Sequence, residues 1–314
     1  MNPIGLFAAL SLLAVSSTAC RSLSTPVPPE PPSAERLQGL NLFDGNTGAA
    51  ATWQELEARV DQADAVICGE LHGHPLGLPY AALLYQGSLD RNPNTALALE
   101  FICRDRQFAL DAYAADLIDF EGLQSALEGS KGNTVKDHGP MIQASHEAGR
   151  PVYAANAPRI YTTAARLKGY DALNALNAEQ QRLFDVPDPM PNAEYKQRFF
   201  EFMGASGHGE EGAEEDAEAN EMMLSVFRAQ ALWDGTMSAT TARAMDDGNR
   251  PVFLVVGHFH CDTNGGTLEL LKRHKPDANV LVLSVTDDWS DVLREEDKGR
   301  ADYIVYVGPY PDED

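Results

Sequence analysis

Short apolar runs separated by helix-length segments constrain this chain more than any other feature. Ala65-Val66-Ile67-Cys68, Thr95-Ala-Leu-Ala-Leu-Glu100, Pro151-Val-Tyr-Ala-Ala-Asn-Ala157, Val252-Phe253-Leu254-Val255-Val256 and Ala278-Asn-Val-Leu-Val-Leu-Ser-Val285 each have strand length. Runs with no polar alternation belong to strands covered on both faces, which is the habit of parallel sheets. Helical patterns near 78–90, 105–117, 120–128 and 139–148 fill the gaps, and 302–307 reads as a last strand. From 158 to 247 no strand pattern occurs, while apolar residues recur at helical spacing around 194–203 and 220–245. The predicted fold class is α/β: a mainly parallel sheet flanked by helices, with a smaller all-helical subdomain inserted at about 158–247.

Two of these strands end alike. Gly69-Glu70-Leu71-His72 follows the first, and Gly257-His258-Phe259-His260 follows the fourth. In open α/β sheets ligands collect at the carboxyl ends of the strands, where a glycine lets the backbone turn tightly. The second strand delivers Glu100 to the same rim, and the third ends in Asn156-Ala157-Pro158-Arg159. Glu70, His72, Glu100, His258 and His260 are therefore the leading site residues, with His74 in the loop beyond. A carboxylate beside an imidazole serves either as a metal-ligand pair or as a general acid/base pair. Each histidine taken singly reads equally well as a helix cap; their convergence argues for use, because ionisable groups are costly to gather idle. His258 and His260 alternate, so one is expected to face the crevice and the other to pack. Arg159 suits a ligand carboxylate through bidentate hydrogen bonds, and pairing with a structural carboxylate is the competing role. Asn264-Gly265-Gly266 opens a helix whose amides could bind an anion. No phosphate loop, Gly-x-Ser-x-Gly elbow or Cys-x-x-Cys-His is present, so a Rossmann cofactor, a common serine hydrolase and covalent haem attachment are set aside.

The first twenty residues form an apolar stretch closed by Ser17-Thr18-Ala19-Cys20, which resembles a bacterial lipobox. The expectation is a lipoprotein signal over 1–20, acylation of Cys20, and a Pro/Ser-rich tether over 21–45 that leads to one domain over 46–314. An outer membrane lipoprotein facing the periplasm would follow, held to the membrane through its lipid. Net charge is −23, from 47 acidic and 24 basic residues, which excludes nucleic acid as a partner. Part of the acidity is local, in 209–218 beside His208. Cys68, Cys103 and Cys261 lie near strand ends and read as buried thiols, with a disulfide open to an exported protein.

Ile67-Cys-Gly-Glu-Leu-His72, Leu97-Ala-Leu-Glu100, Gly149 to Arg159, Gln230-Ala-Leu-Trp-Asp-Gly-Thr-Met237 and Val255-Val-Gly-His-Phe-His260 occur in this order. Together they resemble the ChaN family of haem-binding bacterial lipoproteins, over about 60 to 310. The resemblance implies an α/β sheet with a helical subdomain, haem as the ligand, a part in iron or haem acquisition, and attachment to the outer membrane; a homodimer is possible. Where the family often has a His-His pair, this chain has Gly77-Leu78. In a haem site the tyrosines at 80, 85, 153, 161 and 170 are further candidate ligands beside the histidines, although each also reads as packing. The same motifs resemble erythromycin esterases and the TraB/TIKI metalloproteases. That resemblance implies the alternative: a hydrolase using Glu70, His72, Glu100 and His260, with a divalent metal such as zinc on His72 and His260 or with no metal.

Overall fold

Helices and strands alternate as the sequence predicts, in a computed structural model that describes residues 31–128, 137–204 and 213–311. The sequence's signal over 1–20 lies outside these residues. In chain order the elements are α1 (Ala34–Gln38), β1 (Asn41–Asp44), β2 (Ala50–Ala51), α2 (Trp53–Val60), β3 (Ala65–Glu70), α3 (Gly77–Arg91), β4 (Ala96–Cys103), α4 (Gln107–Ala114), α5 (Phe120–Leu127), α6 (Gly139–Glu147) and β5 (Val152–Asn156). Then come α7 (Arg159–Lys168), α8 (Tyr170–Asn174), α9 (Ala178–Gln181), α10 (Ala193–Phe202), α11 (Ala213–Asp246), β6 (Val252–Gly257), α12 (Gly266–His274), β7 (Val280–Thr286) and β8 (Tyr303–Tyr306).

The eight strands form one sheet in the order β2-β1-β8-β7-β3-β6-β4-β5. Every pairing from β8 to β5 is parallel, whereas β1 joins β8 and β2 antiparallel. Parallel pairing follows from helical crossovers, and the apolar runs follow from coverage of both faces. On one face Leu56, Tyr80, Leu84, Leu110, Leu123 and Ile142 pack against Val66, Leu97, Phe253 and Leu281. On the other, Met237, Ala242, Leu268 and Leu271 pack against Ile67, Leu254, Val256 and Ile304. Each fully buried aliphatic side chain stabilises the fold by roughly 1.5–3 kcal/mol.

One expectation needs correcting. The sheet takes in Asn41–Asp44, with Leu42 and Phe43 buried, so the fold begins within the stretch assigned to the tether. Leu42 and Phe43, between polar Asn41 and Asp44, are too short an apolar run to stand out. The segment inserted between β5 and β6 is all helical, as expected, and it packs onto the sheet. The carboxyl-terminal part of α11 lies on the sheet beside α12, and α7 and α8 pack on the same helix through Leu232. Helical periodicity reports an apolar stripe; it does not say whether that stripe meets another helix or a sheet.

Cys68 faces the core on one side of the sheet and Cys261 the core on the other. Both are free thiols. Among the described residues no helix is long and apolar enough to cross a membrane.

Candidate active and ligand-binding site at the carboxyl edge

Strands β3, β6, β4 and β5 are consecutive neighbours in the sheet, so their carboxyl ends place the predicted residues side by side. Glu70 stands opposite Gly257 in the β3–β6 register. Between Leu99 and Cys103 the β4 register slips, taking four steps while β5 takes the two from Ala154 to Asn156. Such irregularities re-aim side chains at strand ends. Here the slip follows Leu99, and the Glu100 carboxylate next in sequence accepts the Gly257 amide at 2.6 Å. A cleft of about 370 Å³ opens there, lined by His72, Glu100, Phe101, Cys103, Asn156, Ala157, Arg159, Trp233 and His260.

One end of this site is built on Glu70. Its side chain is buried, and Oε1 accepts the His72 Nδ1 proton at 2.7 Å, while the His72 ring is 61 % exposed. Burial pushes the Glu70 carboxyl up, against the pull of His72; the hydrogen bond to Glu70 in turn pushes the imidazole up. Glycine at 257 makes this arrangement possible, since a Cβ there would stand 2.9 Å from His72 Cε1. Phe101 sets its edge to the His72 ring and stacks on His138, whose Nε2 lies 3.9 Å from Glu70.

The other end is built on Asp234. Its fully buried carboxylate receives His260 Nδ1 at 2.7 Å, the Thr267 hydroxyl at 2.7 Å and the Tyr195 hydroxyl at 2.9 Å. His260 Nε2 points toward Glu100 Oε1 at 3.7 Å. Burial alone would discharge this imidazole, but the two carboxylates outweigh it and raise its pKa to about 9. His260 is therefore an imidazolium at neutral pH, whereas His72 shares its proton with one carboxylate. The sequence reading missed Asp234, Gln230 and Tyr195. Gln230 and Asp234 stand four apart on α11, on one helical face, and this spacing is the signal that could have found them. Phe101, Trp233 and Cys103 were missed as lining residues; burial holds the Cys103 thiol protonated, with its pKa pushed up to about 12.

Other predicted residues have separate positions. His74 is buried away from the cleft: Nδ1 accepts the amides of Leu76 and Gly77, capping α3, and Nε2 donates to Gly308 O at 2.9 Å. His258 does not line the cleft; it pairs with Asp262 at 2.8 Å, which Arg300 also holds. Asn156 lines the cleft, but its Oδ1 is turned back onto the Ala157 amide. Arg159 lines the cleft without an ion pair among the described residues. The start of α12 is filled from within, because a Cβ on Gly266 would stand 2.5 Å from Asp234 Oδ2. None of the tyrosines at 80, 85, 153, 161 and 170 lines the cleft: Tyr85 bonds Ser145, Tyr153 Asp247 and Tyr170 the Arg228 carbonyl, and Tyr80 and Tyr161 pack against other rings. Among the described residues no group of three or more His, Cys, Asp or Glu is arranged to hold a metal ion. His72 and His260 each give Nδ1 to a carboxylate of their own, Glu70 and Asp234.

The fold and motifs agree with known proteins. Across 87 % of this chain and 97 % of the other, the structure matches that of cofacial haem binding to ChaN of Campylobacter jejuni, with 18 % identity and a TM-score of 0.62. Weaker likenesses are to the type III effector HopBA1 (13 % identity, TM-score 0.47, covering 87 % and 98 %) and an erythromycin esterase mutant in its open conformation (12 %, 0.45, covering 86 % and 83 %). No curated protein matches the sequence. Residues 56–271 match the family model described as haem-binding uptake, Tiki superfamily, ChaN, and the chain belongs to that family.

Proposed function

We propose that this chain binds haem at the carboxyl edge of its sheet, with His72 as the side chain that meets the iron. The state of the His72 ring carries this reading. Its Nδ1 is committed to buried Glu70 while the ring stays 61 % exposed at the cleft. An imidazole held this way offers a fixed, electron-rich Nε2, the usual arrangement for coordinating a metal. Bound haem would supply an iron centre that accepts such a nitrogen. Phe101, Ala157 and Trp233 offer apolar cover, and Arg159 a cation for a ligand carboxylate. Membership of a haem-binding uptake family supports the same reading, and with it a place in iron or haem acquisition. Titrating the full-length protein with haemin and following its absorption should give saturable binding. His72→Ala should weaken it at least about tenfold, while His258→Ala leaves it unchanged. Binding that survives His72→Ala would move the iron to another residue.

A second reading has its own observation: two histidines, each backed by a carboxylate, face one cleft with Glu100 between them. His72 could take a proton from water and imidazolium His260 could give one to a leaving group, as in hydrolysis. Ester or amide turnover lost in both Glu70→Gln and His260→Gln would promote this reading over the first.

We further propose that the chain is exported and anchored by acylation of Cys20, read from Thr18-Ala19-Cys20 and the proline-rich residues behind it. Cys20→Ser should then release the protein from membranes with its thermal unfolding unchanged. Recovery of the wild type in the soluble fraction alone would defeat the proposal.

A further inference from the structure

His72 sits on a turn, Leu71–His74, in which the His74 amide bonds back to Leu71 O and Gly73 takes a positive φ. A turn of this kind is free to move unless something outside it holds it. Besides the contacts of the His72 ring with Glu70 and Phe101 and the packing of Leu71, the contacts that hold it come from the far end of the chain. After β8 the backbone stays tied to the β7 side, Val307 N to Thr286 O and Gly308 N to Asp288 O, both at 2.9 Å. At Gly308 it bends with φ +81, under a Trp289 ring so near that a Cβ would stand 2.2 Å from it. Only glycine fits on both counts. The bend sends residues 308–310 across the turn. His74 accepts two amides at Nδ1, so its proton is on Nε2 and is donated to Gly308 O. Tyr310 rests its ring against His74, with centroids 4.7 Å apart, and donates its hydroxyl to the His72 carbonyl at 3.0 Å. Both ends of the turn are thus held, one by Gly308 and the other by Tyr310.

We propose that Gly308–Tyr310 is a strap that fixes His72 in the cleft, and that Tyr310 is a positioning residue for ligand binding. This rests on the haem-binding reading of the cleft. Tyr310 acts through the His72 backbone, so it tunes where the imidazole stands and does not supply a ligand atom. The chemistry of the contact matters more than its size: a phenol hydroxyl is required, and the ring edge against His74 is kept by phenylalanine.

Tyr310→Phe in the full-length protein tests the strap by two readouts. Without haem, amide exchange at Leu71–His74 should quicken while the melting temperature stays unchanged. With haemin, affinity should fall about two- to tenfold, the worth of one lost hydrogen bond, and Tyr310→Trp should not restore it. Unchanged exchange and unchanged haemin affinity overturn the strap. A loss as deep as that of His72→Ala, with the tyrosinate-to-iron absorption band disappearing, also overturns it by making Tyr310 a direct ligand. If exchange quickens but His72→Ala binds haemin like the wild type, the strap stands and the haem reading of His72 falls.

Discussion

Asp234 is buried with three donors on its two oxygens, and its partner His260 lies between it and Glu100. That placement has a consequence for stability that can be signed. The His260 pKa is raised from an ordinary 6.5 to about 9 by the two carboxylates, against the opposing effect of burial. A histidine raised on folding stabilises the native state fully below its unfolded pKa, and this contribution is lost as pH climbs through the folded value. The window is therefore about pH 6.5 to 9, with a contribution on the order of 3 kcal/mol. His72, also raised, acts with the same sign, whereas His74, lowered by burial, acts oppositely and mainly below 6.5. Denaturant unfolding of the wild type should show stability falling across pH 6.5–9, and Asp234→Asn should lower it and flatten that slope. A slope that Asp234→Asn leaves intact would place the titration on another group. At this scale the sequence showed which histidines mattered less well than it showed where they converge. Strand ends marked Glu70, His72, Glu100 and His260, because apolar runs end at a rim. They could not tell that His74 is turned to Gly308 O, 234 residues away, or that His258 joins an Asp262 held by Arg300 from 38 residues away.

Element by element, the parallel strands were legible because burial on both faces leaves unbroken apolar runs. The β1 strand was not, because its full pairing is with β8 at the other end of the chain, while its local partner β2 has only two residues. The α11 helix was half legible. Its 34 residues span about 50 Å, enough to serve two environments. The segment Ser238-Ala239-Thr240-Thr241-Ala242 is small and buried, which lets the helix lie close to the sheet. Arg104 locks it there, donating to Thr240 Oγ1 and to the Thr236 carbonyl. Nothing in the periodicity of α11 separates that half from the part carrying Phe227, which packs on Tyr195 and Phe199 of α10. The open edge of the sheet illustrates the same limit. Strand β5 ends it, and the Gln107 side chain pairs with Val152 O and the Ala154 amide as a neighbouring strand would. A lone glutamine at the start of a helix carries no sign of that role.

For the molecule as a whole, charge bears on how an anionic ligand arrives. The chain carries a net −23, and Glu70, Glu100 and Asp234 sit at the site itself. Against them stand imidazolium His260, which its two carboxylates already neutralise, and Arg159, which has no ion pair among the described residues. Haemin brings two carboxylates, so on the haem-binding reading protein and ligand repel at long range, and only contact at Arg159 is attractive. Salt shortens the reach of that repulsion, from a screening length of about 30 Å at 0.01 M to about 8 Å at 0.15 M. It weakens a contact pair much less. The association rate of monomeric haemin should therefore rise severalfold over this range of ionic strength, while the dissociation rate changes little. Arg159→Gln should raise the dissociation rate and leave the salt dependence of association in place. Stopped-flow absorption measures both rates. An association rate that falls with salt would mean that a local cationic field at the cleft, and not the charge of the whole chain, governs the encounter.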